Sequence, residues 1–113
     1  MAWTIRVRRE FSAAHYITSY RGAPEPLHGH NWKVEVHLEV EELGEGGIGI
    51  DFLEVDAFLR EILPDHTLLN EILPSPSAEN LARWIFDRVK EKYGTVKKVV
   101  VWETDRYGAE FHA

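Results

Sequence analysis

His28 and His30, in the stretch "PEPLHGHNWKVEV", stand one residue apart around Gly29 at the start of a segment that alternates apolar and polar residues. In an extended chain alternate side chains share a face, so both imidazoles point the same way. Two imidazoles presented by a strand make half of a zinc site, although the same pair also suits a polar surface loop. The group that separates these readings is His15, in "FSAAHYI", just past the first predicted strand. If the first two strands pair as a hairpin, the end of one meets the start of the other, and His15 comes beside His28 and His30. Three neutral nitrogen donors leave a fourth zinc position open, the arrangement of a catalytic rather than a structural centre. The chain has no cysteine, which excludes thiolate ligands, thiolate catalysis and disulfides.

Other polar residues carry two readings each. Glu25 lies three residues before His28, close enough to reach a metal-bound substrate, and is otherwise a loop glutamate. Asp65 and His66 follow Pro64 at a helix end and read, on the residues alone, as a turn carboxylate beside a surface histidine. Glu103 ends the nearly all-apolar run "VVVWET". It is either a surface-facing strand terminus or a buried carboxylate whose donors come from a ligand. His37, on the charged face of the second strand, and His112, near the C-terminus, are expected to be solvated.

The elements that must position these groups follow from periodicity. Trp3, Ile5 and Val7 alternate with Thr4, Arg6 and Arg8. Trp32, Val34, Val36, Leu38 and Val40 alternate with Lys33, Glu35, His37, Glu39 and Glu41. Both are half-buried strands with one apolar face. After the "GEGGIG" turn, Phe52, Val55, Leu59 and Ile62 recur at helical spacing until Pro64 ends the run. A second helix starts near Ser75 as N-cap with Pro76 at its first position, buries Leu81, Ala82, Ile85, Phe86 and Val89, and closes at Gly94. The segments "TVKKVVVWET" and "RYGAEFHA" read as two further strands. The order β-β-α-α-β-β predicts an α+β domain: a four-stranded antiparallel sheet with two helices on one face. Its exposed edges point to oligomerisation.

Composition bounds the function. At 113 residues the chain fits one domain, residues 1–113, and its 44% hydrophobic and 28% charged residues are ordinary for a globular protein. A formal net charge of −6 argues against nonspecific nucleic-acid binding. No apolar run approaches the ~18 residues of a membrane span, and the N-terminal residues lack a signal-peptide core. A cytoplasmic location is expected.

In order, "FSAAH", "LHGHNWKVEV", "GIGIDF", "DHTLLN", "PSAEN" and "VVVWET" resemble the 6-pyruvoyl tetrahydropterin synthase and 6-carboxy-tetrahydropterin synthase superfamily, from about Phe11 to Thr104. The resemblance implies the tunnelling fold, whose subunits join edge strands into a barrel, as a trimer or dimer of trimers with pterin pockets at subunit boundaries. It implies zinc at His15, His28 and His30, a pterin anchored by Glu103, and an acid–base role for Asp65 and His66. One departure stands out. Members that form 6-pyruvoyl or 6-carboxy products usually carry a cysteine four residues before the first histidine of the HGH motif, where this chain has Pro24. Glu25 instead resembles the branch in which a glutamate replaces that cysteine. Those enzymes cleave the side chain of 7,8-dihydroneopterin triphosphate to leave 6-hydroxymethyl-7,8-dihydropterin. A less phosphorylated substrate, 6-pyruvoyl formation with Glu25 in the cysteine's place, and a noncatalytic zinc- and pterin-binding protein are the alternatives. Arg6, Arg8, Arg9, Lys33 and Arg106 are the candidate partners for substrate phosphate.

Overall fold

Strands β1 (Trp3–His15) and β2 (His28–Val40) are each 13 residues long and form a continuous antiparallel ribbon in the computed structural model, which describes all 113 residues. Their register runs without interruption from Trp3 opposite Val40 to His15 opposite His28. Odd-numbered β1 residues and even-numbered β2 residues therefore share one face. On it Val7, Phe11 and Ala13 are buried together with Trp32, Val34, Val36 and Leu38. The first strand is longer than its alternating start suggests, so His15 is the last residue of β1 and not a loop residue beyond it.

Helix α1 (Phe52–Ile62) begins where the Asp51 carboxylate accepts the Leu53 N–H at 2.9 Å. Val55, Leu59 and Ile62 face the sheet as the spacing requires, whereas Phe52 is exposed. Leu63, in extended conformation before Pro64, ends the helix. Helix α2 (Ala78–Lys92) is capped by Ser77, whose hydroxyl accepts the Asn80 N–H at 3.1 Å. The expected start at Ser75 and Pro76 is thus two residues too early. Pro76 stays outside the helix, and its carbonyl is free to bond elsewhere. Leu81, Ala82, Ile85, Phe86 and Val89 form the buried stripe.

Strands β3 (Thr67–Leu68), β4 (Val96–Trp102) and β5 (Gly108–His112) complete a five-stranded sheet of order β3-β1-β2-β4-β5. The sheet is mixed: β3 runs parallel to β1, with Thr67 opposite Ala13, which corrects the four-stranded antiparallel expectation. Two residues are too few to carry a period. Both helices contribute to one core cluster with the inward residues of β1, β2 and β4. No helix is long and apolar enough to cross a membrane.

His37 is also corrected. It is buried, not solvated, next to a register shift between β2 and β4. Its Nε2 lies 2.7 Å from Glu35 Oε1, and Arg8 donates to Glu35 Oε2 at 2.8 Å. Burial alone would raise the Glu35 carboxyl, but the hydrogen bonds from Arg8 and His37 outweigh it and hold that group below the usual range. His112 is exposed.

Candidate metal centre

The closed end of the β1–β2 ribbon places the three histidines together. Direct pairing sets His15 across from His28, and the β2 pleat adds His30 two residues on, opposite Ala13. Cross-strand partners lie ~4.5–5.5 Å apart at Cβ, so imidazoles on one face converge. The nitrogens of His15, His28 and His30 and a Glu103 oxygen all lie within 4.8 Å of one another.

Two backbone carbonyls orient the rings. His15 Nδ1 is 2.7 Å from the Pro76 carbonyl, and His28 Nδ1 is 2.8 Å from the Pro26 carbonyl. A carbonyl only accepts, so each Nδ1 must carry a proton. In the neutral rings each Nε2 is then a bare lone pair. These two Nε2 atoms face each other at 3.0 Å, a repulsive arrangement unless a cation or a proton stands between them. His30 Nε2 is buried without a hydrogen-bond partner. Glu103 Oε1 lies 2.8 Å away as a charged contact. Burial holds the His30 imidazole below its ordinary pKa, and the Glu103 charge offsets this only in part. An orphaned buried nitrogen, two opposed lone pairs and a carboxylate are the donor set of a metal ion, and these four residues could hold one. Trp32, fully buried, packs edge-on against His15 and His30 at 4.8 and 5.2 Å and forms the apolar floor.

Glu103 follows β4 directly, and its N–H donates to the Tyr107 carbonyl in the turn to β5. Besides His30, its Oε1 lies 3.5 Å from His15 Nε2 and 3.9 Å from His28 Nε2. Its side chain is 30% exposed, which leaves it open to a ligand.

Glu25 sits on the return leg of a small hairpin between β1 and β2. At the tip, Tyr20 and Ala23 exchange backbone hydrogen bonds across Arg21 (φ 52°) and Gly22 (φ 87°). Two successive left-handed residues make the tight reversal, and Gly22 adopts its φ without strain. Lower down, the Glu25 N–H donates to the Ile17 carbonyl at 3.0 Å, and Glu25 Oε1 accepts the Ile17 N–H at 2.9 Å. The same oxygen lies 3.9 Å from His28 Nε2, so the carboxylate borders the histidine cluster.

Asp65 and His66 are not brought into it. Asp65 Oδ1 accepts the Ser12 N–H at 2.8 Å, and the 83%-exposed His66 side chain meets only Asp65, at 3.5 Å. His66 (φ 56°) borders an open cavity of about 490 Å³ with Ser12, Gly29, His30 and Asn31. Of the candidate phosphate partners, Arg8, Arg9 and Lys33 are committed to Glu35, Asp56 and Asp105. The residues missed from sequence are Pro26 and Pro76, whose carbonyls set the imidazole tautomers. Pro26 is two residues from His28 and could have been suspected, but Pro76 is 61 residues from His15 and left no local signal.

The sequence matches the family model for 6-pyruvoyl tetrahydropterin synthase over residues 4–113. It is 37% identical over 108 residues to an Archaeoglobus fulgidus protein provisionally named 6-carboxy-5,6,7,8-tetrahydropterin synthase, covering 94% of this chain and 92% of that one. It is 36% identical over 110 residues to the dihydroneopterin monophosphate aldolase of Pyrococcus furiosus, covering 91% of each chain. The fold matches the Caenorhabditis elegans 6-pyruvoyl tetrahydropterin synthase with a TM-score of 0.85 at 22% identity, over 100% of this chain and 96% of that one. The chain has the tunnelling fold, belongs to the 6-pyruvoyl tetrahydropterin synthase family and is a lyase-type enzyme of pterin biosynthesis.

Proposed function

We propose that this protein is a zinc-dependent lyase that cleaves the side chain of a 7,8-dihydroneopterin phosphate between C1′ and C2′, releasing 6-hydroxymethyl-7,8-dihydropterin. The observation that carries the reading is Glu25, a carboxylate 3.9 Å from His28 in a chain with no thiol. His15, His28 and His30 would hold the zinc: their donor nitrogens converge within 4.8 Å, with the His15 and His28 Nε2 atoms 3.0 Å apart. When bound, the zinc supplies Lewis acidity to the side-chain oxygens of the substrate.

The chain's own residues do the rest. Glu103 accepts the 2-amino and ring N–H groups of the pterin and fixes the ring. Glu25 takes the proton of the 2′-hydroxyl as general base. The C2′ oxygen becomes a carbonyl as the C1′–C2′ bond breaks, and its electron pair passes to C1′ and the conjugated C6–N5 imine. His66, oriented by Asp65, returns a proton to C1′. Within one chain the His66 side chain makes no polar contact with the cluster. It immediately precedes the edge strand β3, and edge pairing in a homo-oligomer, a trimer or dimer of trimers, brings it to a boundary between copies.

The acidic setting supports a lightly phosphorylated substrate. Glu25 and Glu103 border the site, and three of the five candidate phosphate partners are already ion-paired. The likeness to the Pyrococcus furiosus dihydroneopterin monophosphate aldolase supports the same choice. The enzyme works in the cytoplasm.

The test gives zinc-loaded protein the mono- and triphosphates of 7,8-dihydroneopterin and identifies the products by mass. The expected product is 6-hydroxymethyl-7,8-dihydropterin, formed faster from the monophosphate. Glu25→Gln should keep pterin binding and lose roughly 10²–10⁴ in kcat. Glu103→Gln should raise KM first. A 6-pyruvoyl product would make Glu25 a substitute for the cysteine in the synthase reaction, the reading favoured by the family's name. Bound pterin without product would make the protein a noncatalytic binder.

A further inference from the structure

The segment after α1 follows the end of β1 residue by residue. Asp65 accepts the Ser12 N–H, and the His66 N–H donates to the Ser12 carbonyl at 2.6 Å. Thr67 and Leu68 stand opposite Ala13 and Ala14. The chain then leaves the sheet in a single 3-10 turn, Leu69–Glu71, anchored by the fully buried Leu69. Asn70 continues the ladder with its side chain. Its Oδ1 accepts the Tyr16 N–H at 3.0 Å, and its Nδ2 donates to the Tyr16 carbonyl at 2.9 Å. A primary amide carries one acceptor and donors side by side, so it can replace a peptide group as a strand partner.

Tyr16 is the last residue tied to the fold before the hairpin that carries Glu25. The polar ties of that hairpin are otherwise internal: Ile17 with Glu25, and Tyr20 with Ala23. Such ties shape the hairpin but let it move as one body. Hydrogen bonds attach this body to the fold at its two roots, from the Asn70 amide at one and between the Pro26 carbonyl and His28 at the other. Ile17, which holds the Glu25 carboxylate, is the residue next to Tyr16.

We infer that Asn70 is a positioning residue for Glu25: its side-chain amide clamps both backbone groups of Tyr16 and so sets where Ile17 holds the carboxylate beside His28, an inference that rests on Glu25 being the base. Asn70 lies outside the group of His15, His28, His30 and Glu103. Because it stands four residues after His66 on the same clipped segment, it also ties the position of the base to that of the Asp65–His66 pair.

The test uses Asn70→Ala, Asn70→Asp and Glu25→Gln in the full chain, with two independent readouts. The first is amide hydrogen exchange without substrate. In Asn70→Ala the Ile17 and Glu25 amides should exchange about tenfold faster or more, while Val34 and Val36 in the ribbon core stay protected. The second is turnover of 7,8-dihydroneopterin monophosphate. There kcat should fall about 10–10²-fold with KM within about twofold, the signature of a misplaced catalytic group. In the Glu25→Gln background, Asn70→Ala should lower kcat no further, because the group it positions is gone. Asn70→Asp keeps the acceptor but turns a second oxygen on the Tyr16 carbonyl. It should show the same changes and serves if the alanine variant does not fold. Unchanged Ile17 and Glu25 exchange in a folded variant, or fully additive losses of kcat, would overturn the inference. A wild-type protein that turns over no dihydroneopterin phosphate would overturn the base reading instead, and the exchange readout would still decide whether Asn70 positions Glu25.

Discussion

Replacing His30 by leucine should stabilise the metal-free protein and remove most of the stabilisation that zinc brings. In the folded chain His30 Nε2 is buried without a hydrogen bond, and burial holds its imidazole below the ordinary pKa. An unsatisfied buried polar group costs about 1–3 kcal/mol, and with the side chain 17% exposed the low end applies, about 1 kcal/mol. Leucine removes that cost and packs on the Trp32 ring, which His30 meets at 5.2 Å. At about 2.1 cal/mol/K per residue, 113 residues give an unfolding entropy near 0.24 kcal/mol/K, so His30→Leu should raise Tm by about 4 °C in chelator. Zinc at about 100 times its Kd should add about 2.7 kcal/mol to the wild type, roughly 11 °C. The variant, short of one donor, should respond by less than about 4 °C. The order of the two Tm values therefore reverses between chelator and zinc in parallel thermal melts. A variant less stable than wild type in chelator, or one that keeps the full zinc response, would refute the reasoning.

Three further outcomes follow from other parts of the fold. Tyr93, raised to about 12 by burial and by its hydrogen bond to Glu54, should titrate above the ordinary tyrosine range in ultraviolet absorbance, as the step that Tyr93→Phe removes. Because the folded state keeps that proton longer than the unfolded one, stability should fall as pH rises from about 10 toward 12, and Tyr93→Phe should remove that slope. Glu35 is held below its usual range, so its contribution is present above about pH 4.5 and lost as pH falls through the folded value; Arg8→Ala should weaken that acid-side loss in urea melts across pH 3–5. Gly108→Ala would place a Cβ 2.6 Å from Trp102 Cε3 and 2.8 Å from the Val101 carbonyl, so β4 and β5 must part next to Glu103. It should cost about 1–3 kcal/mol and weaken zinc binding, read by melting and by zinc titration.

Much of this protein is legible in one dimension because its patterns are local. Alternation over Trp32–Val40 names the covered face of β2 whatever surrounds it, and helical spacing names Val55, Leu59 and Ile62 as the inner stripe of α1. Two histidines around a glycine in an extended segment share a face by geometry alone, and a short reversal between two strands suffices to bring His15 near them. What the tertiary structure decided involves partners far apart in sequence or segments too short to carry a period. Strand β3 is two residues long, and its pairing depends on where α1 delivers it. Ser75 and Ser77 are equally good caps in isolation; the helix starts at Ser77, with the Pro76 carbonyl left to accept from His15 across 61 residues. His37 has a charged-face address in the strand pattern, yet a register shift beside it and the Glu35 carboxylate accompany its burial. Glu103 reads as a strand end, and only the pairing of β4 with β2 brings its carboxylate among the imidazoles, since no local preference encodes a meeting of side chains from opposite ends of the chain.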